Sequence, residues 1–140
     1  MINKQRLRRL LAPKSIAVFG SRGADFAIRE SLTMGFTGPI WSVHPTRSEL
    51  MGIKCIKSVH DLPYAPDAAY VAVNAESAIE TVALLNQMGA GGALLYASGF
   101  SELGETLKDV GVERQQRLLK AAGDMPIIGP NCYGVINALD

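Results

Sequence analysis

The chain has 140 residues, a formal net charge of +1, 48% hydrophobic residues and 19% charged residues. This length predicts one domain, residues 1–140, that can bury a core. The composition excludes an intrinsically disordered chain, and the balanced charge gives no reason to expect nucleic acid as a partner. No apolar stretch is long enough for a leader peptide or a membrane span, so we expect a cytoplasmic protein without a membrane partner.

Two smaller features of the composition predict ordinary structural roles. Four basic residues lie within positions 4–9, and we interpret them as the solvated face of a short helix. Cys55 and Cys132 have neither metal-ligand nor disulfide-framework spacing, so we expect two reduced, mostly buried thiols and no metal site.

Short, nearly continuous apolar runs predict strands that are buried on both faces, as in a parallel sheet. The runs are 15–19, 40–43, 68–73, 92–97 and 126–128. Helical patterns lie at 24–35, 77–88 and 107–122. Asp25 is a plausible N-cap of the first, and Ser77 with Glu80 has capping-box spacing in the second.

This alternation predicts an α/β fold, Rossmann-like and doubly wound, with a mostly parallel five-stranded sheet and helices on both faces. The segment Thr46–Asp67 interrupts the pattern. We interpret it as a long connection that contains a short edge strand at Cys55-Ile56. In such folds ligands bind beyond the carboxyl ends of the strands, so the residues after each strand are the candidate site.

The turn after the first strand is the best candidate for binding a phosphate. It reads Gly20-Ser21-Arg22-Gly23, in which small residues allow close backbone approach and the next helix begins with its positive end. A tight turn without a ligand is the alternative. The dinucleotide fingerprint G-x-G-x-x-G is not formed. We assign Asp25 to capping, with its carboxylate directed away from the phosphate.

After the second strand, Pro45 and Arg47 stand where an NAD site would have an acidic residue for the ribose. Arg47 could instead meet a ribose phosphate, which leaves NADP or a 3′-phosphorylated nucleotide such as coenzyme A. We interpret His44 as a hinge or buried histidine and not as a catalytic one.

The remaining strand ends carry neutral, small residues. Val73, Asn74 and Ala75 could form a slot for an adenine ring, or simply begin a helix. Ser98 and Gly99 offer backbone amides, and no partner set for a catalytic serine is evident.

An ordered series of short motifs resembles one family. The motifs are 13–18 with Gly20-Ser21, then 35–40, 43–45, 52–55, 98–102 and 129–137. Their order and spacing are similar to the N-terminal CoA-binding domain of ADP-forming acetyl-CoA and acyl-CoA synthetases, which are related to the succinyl-CoA synthetase α subunit. In this family Asn is usual at the position of His44, and Pro at the position of Asn74.

The resemblance implies that coenzyme A is the ligand. Its diphosphate would lie on Gly20 and Ser21, and its adenine and ribose near Val73, Asn74 and Ala75. The turn Ser98-Gly99-Phe100 would lie near the pantetheine or its thiol. Asn131 would face the reaction centre.

The resemblance further implies that the chain is the N-terminal fragment of a larger acyl-CoA ligase and works with its other domains or subunits. The family's phosphohistidine lies in the following domain, and neither His44 nor His60 matches its motif. We therefore expect a chain that binds but holds no catalytic residue. A CoA-sensing regulatory domain, as in some protein acetyltransferases, or a stand-alone binding module is the alternative, and an NADP-binding oxidoreductase domain is a third hypothesis.

Overall fold

The computed structural model describes residues 1–132 and 134–136. Its helices are α1 (Lys4–Leu11), α2 (Ala24–Thr33), α3 (Ala75–Met88) and α4 (Lys108–Ala122). Its strands are β1 (Ile16–Gly20), β2 (Ile40–Val43), β3 (Glu49–Leu50), β4 (Ile53–Ile56), β5 (Ala68–Ala72), β6 (Gly92–Leu95) and β7 (Ile127–Ile128). Single 3₁₀ turns precede β5, at Val59–Asp61, and α4, at Glu105–Leu107.

The strands form one sheet in the order β3-β4-β2-β1-β5-β6-β7. β3 and β4 are antiparallel, and the other neighbouring strands are parallel. Without β3, the order is that of the dinucleotide-binding fold, in which the first strand is central and the order reverses beside it. The predicted doubly wound, mostly parallel sheet is confirmed.

The predicted number of strands was wrong, because the sheet has seven strands and not five. The two additional strands, β3 and β4, form a hairpin within the segment predicted as a connection. Its two-residue loop is Met51-Gly52, and both residues have positive φ, 53° and 78°. Such a loop matches the twist of a hairpin. The predicted strand at Cys55-Ile56 belongs to β4, which is not at the edge, since β3 covers it.

Side chains of the central strands alternate between two cores. Ala17 and Phe19 point into the larger core, which also contains Leu118 of α4. Val18 points to the opposite face, where it packs with Ile28 of α2. All five residues are buried. Helices therefore cover both faces of the sheet, as the continuous apolar runs predicted.

Two helices begin at other residues than the sequence pattern suggested. The N-cap of α3 is Asn74, whose Oδ1 accepts a hydrogen bond from the backbone nitrogen of Ser77 at 2.9 Å. The predicted cap at Ser77 was thus wrong by one turn. The N-cap of α2 is Gly23, and Asp25 lies inside the first turn. Its Oδ1 accepts from the amide of the next residue, Phe26, at 2.8 Å, and the prediction of Asp25 as the N-cap was wrong.

The basic residues of α1 do not form a merely solvated face. Arg6 donates to the carbonyl oxygen of Ala90 and to Oδ1 of Asp124, both at 2.7 Å, and its side chain is 13% exposed. Arg9 pairs with Asp67 at 2.7 Å. The two arginines fasten α1 to the amino-terminal edge of the sheet, and the solvated interpretation was wrong for both.

Candidate functional site

The parallel strands bring every predicted contact residue to one edge of the sheet. Five strands that are parallel to one another, β1, β2, β5, β6 and β7, end there, and the strand order reverses between β1 and β5. The predicted residues follow these ends directly: Gly20, Ser21, Arg22, Pro45, Arg47, Val73, Asn74, Ala75, Ser98, Gly99 and Asn131. A crevice at such a reversal is where open α/β sheets bind ligands.

The glycines of the first turn are required by the protein itself. Gly20 has φ 105°, and a Cβ there would lie 2.1 Å from the carbonyl oxygen of Ala72. Gly23 has φ 80°, and its Cβ would lie 3.1 Å from the ring of Tyr96. The left-handed region and these close contacts both favour glycine. The turn is therefore held tightly against the end of β5.

The N-cap residue of α2 provides no side-chain cap, while the amide of Phe26 in the first turn already donates to Oδ1 of Asp25 at 2.8 Å. Gly23 is the N-cap, and it has no side chain to accept from the first amides of the helix. The positive end of the helix dipole faces the turn. Asp25 lines the same cavity as Ser21 and Arg22, and its Oδ1 is hydrogen-bonded to the amide of Phe26.

His44 shapes the turn that carries Arg47. Its Nδ1 accepts hydrogen bonds from the backbone nitrogens of Thr46, at 3.2 Å, and Arg47, at 2.9 Å. This arrangement needs an unprotonated Nδ1, which the neutral tautomer with its proton on Nε2 provides. Asparagine forms the same kind of turn through its side-chain oxygen. The predicted hinge role of His44 agrees with this geometry.

A cavity of about 450 Å³ lies between the first turn and the hairpin. Its lining residues are Ser21, Arg22, Asp25, Arg47, Glu49, Leu50 and Met51. In the part of the chain that the structure describes, the guanidinium groups of Arg22 and Arg47 have no carboxylate partner within 4.0 Å. The two arginines suit a phosphorylated ligand. The carboxylates of Asp25 and Glu49 line the same cavity, so its lining has no net formal charge.

The end of β5 forms the neutral middle of the crevice. Val73 is half-buried and lies beside Gly20, where an added Cβ would be 3.5 Å from its Cγ1. Asn74 uses its side-chain oxygen for the cap of α3, and Ala75 is buried. The side-chain oxygen of Asn74 is therefore committed to the helix, which leaves the backbone of this segment and its amide nitrogen to meet a ligand.

Glu102 organises the turn after β6, a role that the sequence analysis did not predict. One carboxylate oxygen accepts from the amide of Gly99 at 2.6 Å, and the other from the amide of Phe100 at 3.1 Å. The side chain of Asn131, in the turn after β7, lies near this carboxylate and contributes to the lowering of its pKa. The spacing of Glu102 three residues after Gly99 was the signal that could have indicated this contact.

The pKa of the Glu102 carboxyl lies below its usual value of 4.5. Partial burial raises it, but hydrogen bonds from the amides of Glu102, Gly99 and Phe100 and from Asn131 outweigh that effect. Glu102 is therefore an ionised acceptor at neutral pH. Hydrogen bonds to a charged acceptor are stronger than neutral ones.

The cysteines carry no metal or disulfide chemistry among the described residues. Cys55 is buried and contacts the hydroxyl of Ser42 at 3.5 Å. Cys132 is only half-buried, and its thiol donates to the carbonyl oxygen of Gly134 at 3.4 Å. None of the helices in the described ranges is both long and apolar enough to cross a membrane.

Comparison with known proteins identifies the family. The sequence profile of the family described as "CoA binding domain" matches residues 14–138. The chain belongs to this family. Membership confirms the resemblance noted in the sequence and identifies coenzyme A as the ligand of this domain.

Relatives of this CoA-binding domain include synthetases and ligases. The chain is 37% identical to a trans-feruloyl-CoA synthase from an unknown prokaryotic organism and 38% identical to the ADP-forming acetate–CoA ligase II of Archaeoglobus fulgidus. These matches cover 99% and 94% of the chain but 20% of each relative. The chain thus spans about a fifth of the length of these relatives.

A solved structure supports the same assignment. The apo form of a dinucleotide-forming acetyl-coenzyme A synthetase 1 from Ca. Korarchaeum cryptofilum matches with a TM-score of 0.80 and 31% identity. The match covers 91% of this chain and 28% of that one. The fold described above is therefore shared with the matched part of that synthetase.

Proposed function

We propose that this chain binds coenzyme A across the carboxyl edge of its sheet and serves as the CoA-binding part of an ADP-forming acyl-CoA ligase. One observation carries the binding mode. Ser21 and Arg22 of the first turn, Asp25 at the start of α2 and Arg47 line a single cavity of about 450 Å³, and neither arginine has a carboxylate partner among the described residues. Phosphate groups are the ligands that such a set favours.

The charges suggest the direction of the ligand. The diphosphate would bind at Gly20, Ser21 and Arg22, and the 3′-phosphate of the ribose at Arg47, with Pro45 holding the turn. Arginine is well suited to bind a phosphate because its planar fork can donate two parallel hydrogen bonds. The polyanionic half of coenzyme A would thus occupy the side of the crevice that carries Arg22 and Arg47.

The neutral half of the crevice suits the rest of the ligand. The adenine would lie against Val73, Asn74 and Ala75, whose backbone groups can read its edge. Pantetheine would continue past Ser98 and Gly99 towards Asn131. The sheet makes this long path available, because β2 and β7 are separated by four strand spacings, about 19 Å in all.

The two nicotinamide alternatives are less well supported. NAD binding uses an acidic residue after the second strand, and this chain has Pro45 and Arg47 in that region. NADP would also satisfy Arg47, but the fingerprint glycines are not formed by Gly20-Ser21-Arg22-Gly23. Titration with both ligands separates the hypotheses.

The parent activity is proposed from the relatives. The named relatives are CoA synthases and ADP-forming CoA ligases, and this chain corresponds to about a fifth of their length. The catalytic steps would then depend on other domains or subunits that act as partners of this one. A CoA-sensing regulatory domain is the second candidate, and a sequence that extends into a phosphohistidine domain and a grasp-type nucleotide domain would favour the ligase over it.

Isothermal titration calorimetry of the 140-residue chain with coenzyme A, and separately with NADP, tests the binding. We expect saturable coenzyme A binding with one site per chain and at least tenfold weaker NADP binding. Tighter binding of NADP than of coenzyme A would overturn the proposal.

A further inference from the structure

Glu102 connects the ends of two strands that have no covalent link at this edge. Its carboxylate accepts from the amides of Gly99 and Phe100, after β6, and lies near the side chain of Asn131, after β7. The backbone nitrogen of Cys132 adds a bond of 2.8 Å to the carbonyl oxygen of Leu95, the last residue of β6. The two turns thus form one continuous wall.

The same wall is supported from the side of the helices. Phe100 is fully buried, and its carbonyl oxygen lies so close to α4 that a Cβ on Gly111 would be 2.0 Å away. Arg114 donates to the carbonyl oxygen of Gly99 at 3.1 Å and pairs with Glu76 at 3.1 Å. The turn is therefore fixed from behind, while Glu102 fixes its solvent side.

The remaining groups at this end of the crevice suit an uncharged, amide-containing chain. Ser98 and the amide of Asn131 supply neutral donors and acceptors. The charge of Arg114 is already paired with Glu76, whereas the unpaired arginines lie near β1 and β2. A ligand with one polyanionic end and one neutral end would place its neutral end here.

We infer that Glu102 is a positioning residue for the pantetheine half of the ligand, acting through the turn at 98–100 and through Asn131. The inference rests on the proposed coenzyme A binding. Removing one carboxylate acceptor leaves two backbone amides to share a single oxygen, since glutamine offers one acceptor and one donor. The wall would loosen at the pantetheine end, and the phosphate turn at the other side of the crevice would be unaffected.

The test compares two ligands on two variants. Coenzyme A and adenosine 3′-phosphate 5′-diphosphate, which lacks pantetheine, are titrated into the wild-type chain and into Glu102→Gln. Glu105→Gln is the matched control, because Glu105 is an exposed carboxylate on the same loop. We expect Glu102→Gln to weaken coenzyme A binding about tenfold, equivalent to about 1.4 kcal/mol. Its affinity for the truncated ligand, and both affinities of Glu105→Gln, should stay within about twofold of wild type.

Asn131→Asp provides a second, independent perturbation. It places a like charge opposite Glu102, and aspartate tolerates the positive φ of 64° at this position. We expect the same selective loss of coenzyme A affinity. Equal weakening of both ligands, or no weakening of either, would overturn the positioning role even though the wild type binds coenzyme A. Failure of the wild type to bind coenzyme A would instead refute the proposed function itself, and the role of Glu102 with it.

Discussion

The Nδ1 atom of His44 lies 2.9 Å from the backbone nitrogen of Arg47, whose guanidinium has no carboxylate partner in the described residues. The imidazole nitrogen accepts backbone hydrogen bonds here, as the side-chain oxygen of asparagine or aspartate does in an Asx turn. It accepts from two successive amides and so fixes the path of the chain that presents Arg47 to the crevice.

His44→Ala should therefore weaken coenzyme A binding about threefold to fivefold, since the turn loses two acceptor contacts. Binding of dephospho-CoA should change little, because only the contact at Arg47 depends on this turn. His44→Asn should restore wild-type affinity. Calorimetric titration of the three proteins checks this, and an asparagine variant no better than the alanine variant would contradict the assigned role.

Gly20→Ala should destabilise the domain by about 2 kcal/mol or more, because the backbone is left-handed and Ala72 blocks the new Cβ. Urea unfolding followed by circular dichroism measures this. Gly104→Ala is the control, since Gly104 has φ −62° and open space around it. If both substitutions had equally small effects, the tight contact between the first turn and β5 would be disproved.

Arg6→Ala should lower the free energy of unfolding by about 2 kcal/mol, because a mostly buried guanidinium loses several acceptors at once. Arg8→Ala removes an equal charge from the exposed side of the same helix and should change it by about 0.5 kcal/mol or less. Chemical denaturation of both variants gives the comparison. Similar changes in the free energy of unfolding for the two variants would support the interpretation of these arginines as a solvated helix face.

The sheet was predictable because its central strands are short, nearly continuous apolar runs. Such runs are typical of strands that are buried on both faces. The hairpin of β3 and β4 was not, since it has only two and four residues and its loop begins with Met51, an uncommon residue at positive φ. Gly52 was the one visible signal. Gly111 weakened the helical pattern of α4, and the structure explains it by the close approach of Phe100.

The candidate site was predictable by position more readily than by contact. Once the strands are assigned, the residues that follow their carboxyl ends are known. Gly20, Arg47 and Ser98 could therefore be placed at the carboxyl edge of the sheet. The partners of Glu102 and Arg6 lie in distant parts of the chain or depend on side-chain direction, which no spacing rule gives. Asn74 was ambiguous because Ser77, three residues later, offers an equally good cap.

We propose above all that Arg47 recognises the 3′-phosphate of coenzyme A, on the side of the crevice that also carries Arg22. The most direct measurement compares the affinities for coenzyme A and dephospho-CoA in wild type, Arg47→Ala and the charge-matched control Arg8→Ala. We predict that wild type and Arg8→Ala prefer coenzyme A by about tenfold, and that Arg47→Ala loses this preference while its dephospho-CoA affinity is retained. A preference that survives Arg47→Ala, or a wild-type chain that does not bind coenzyme A, would contradict the account.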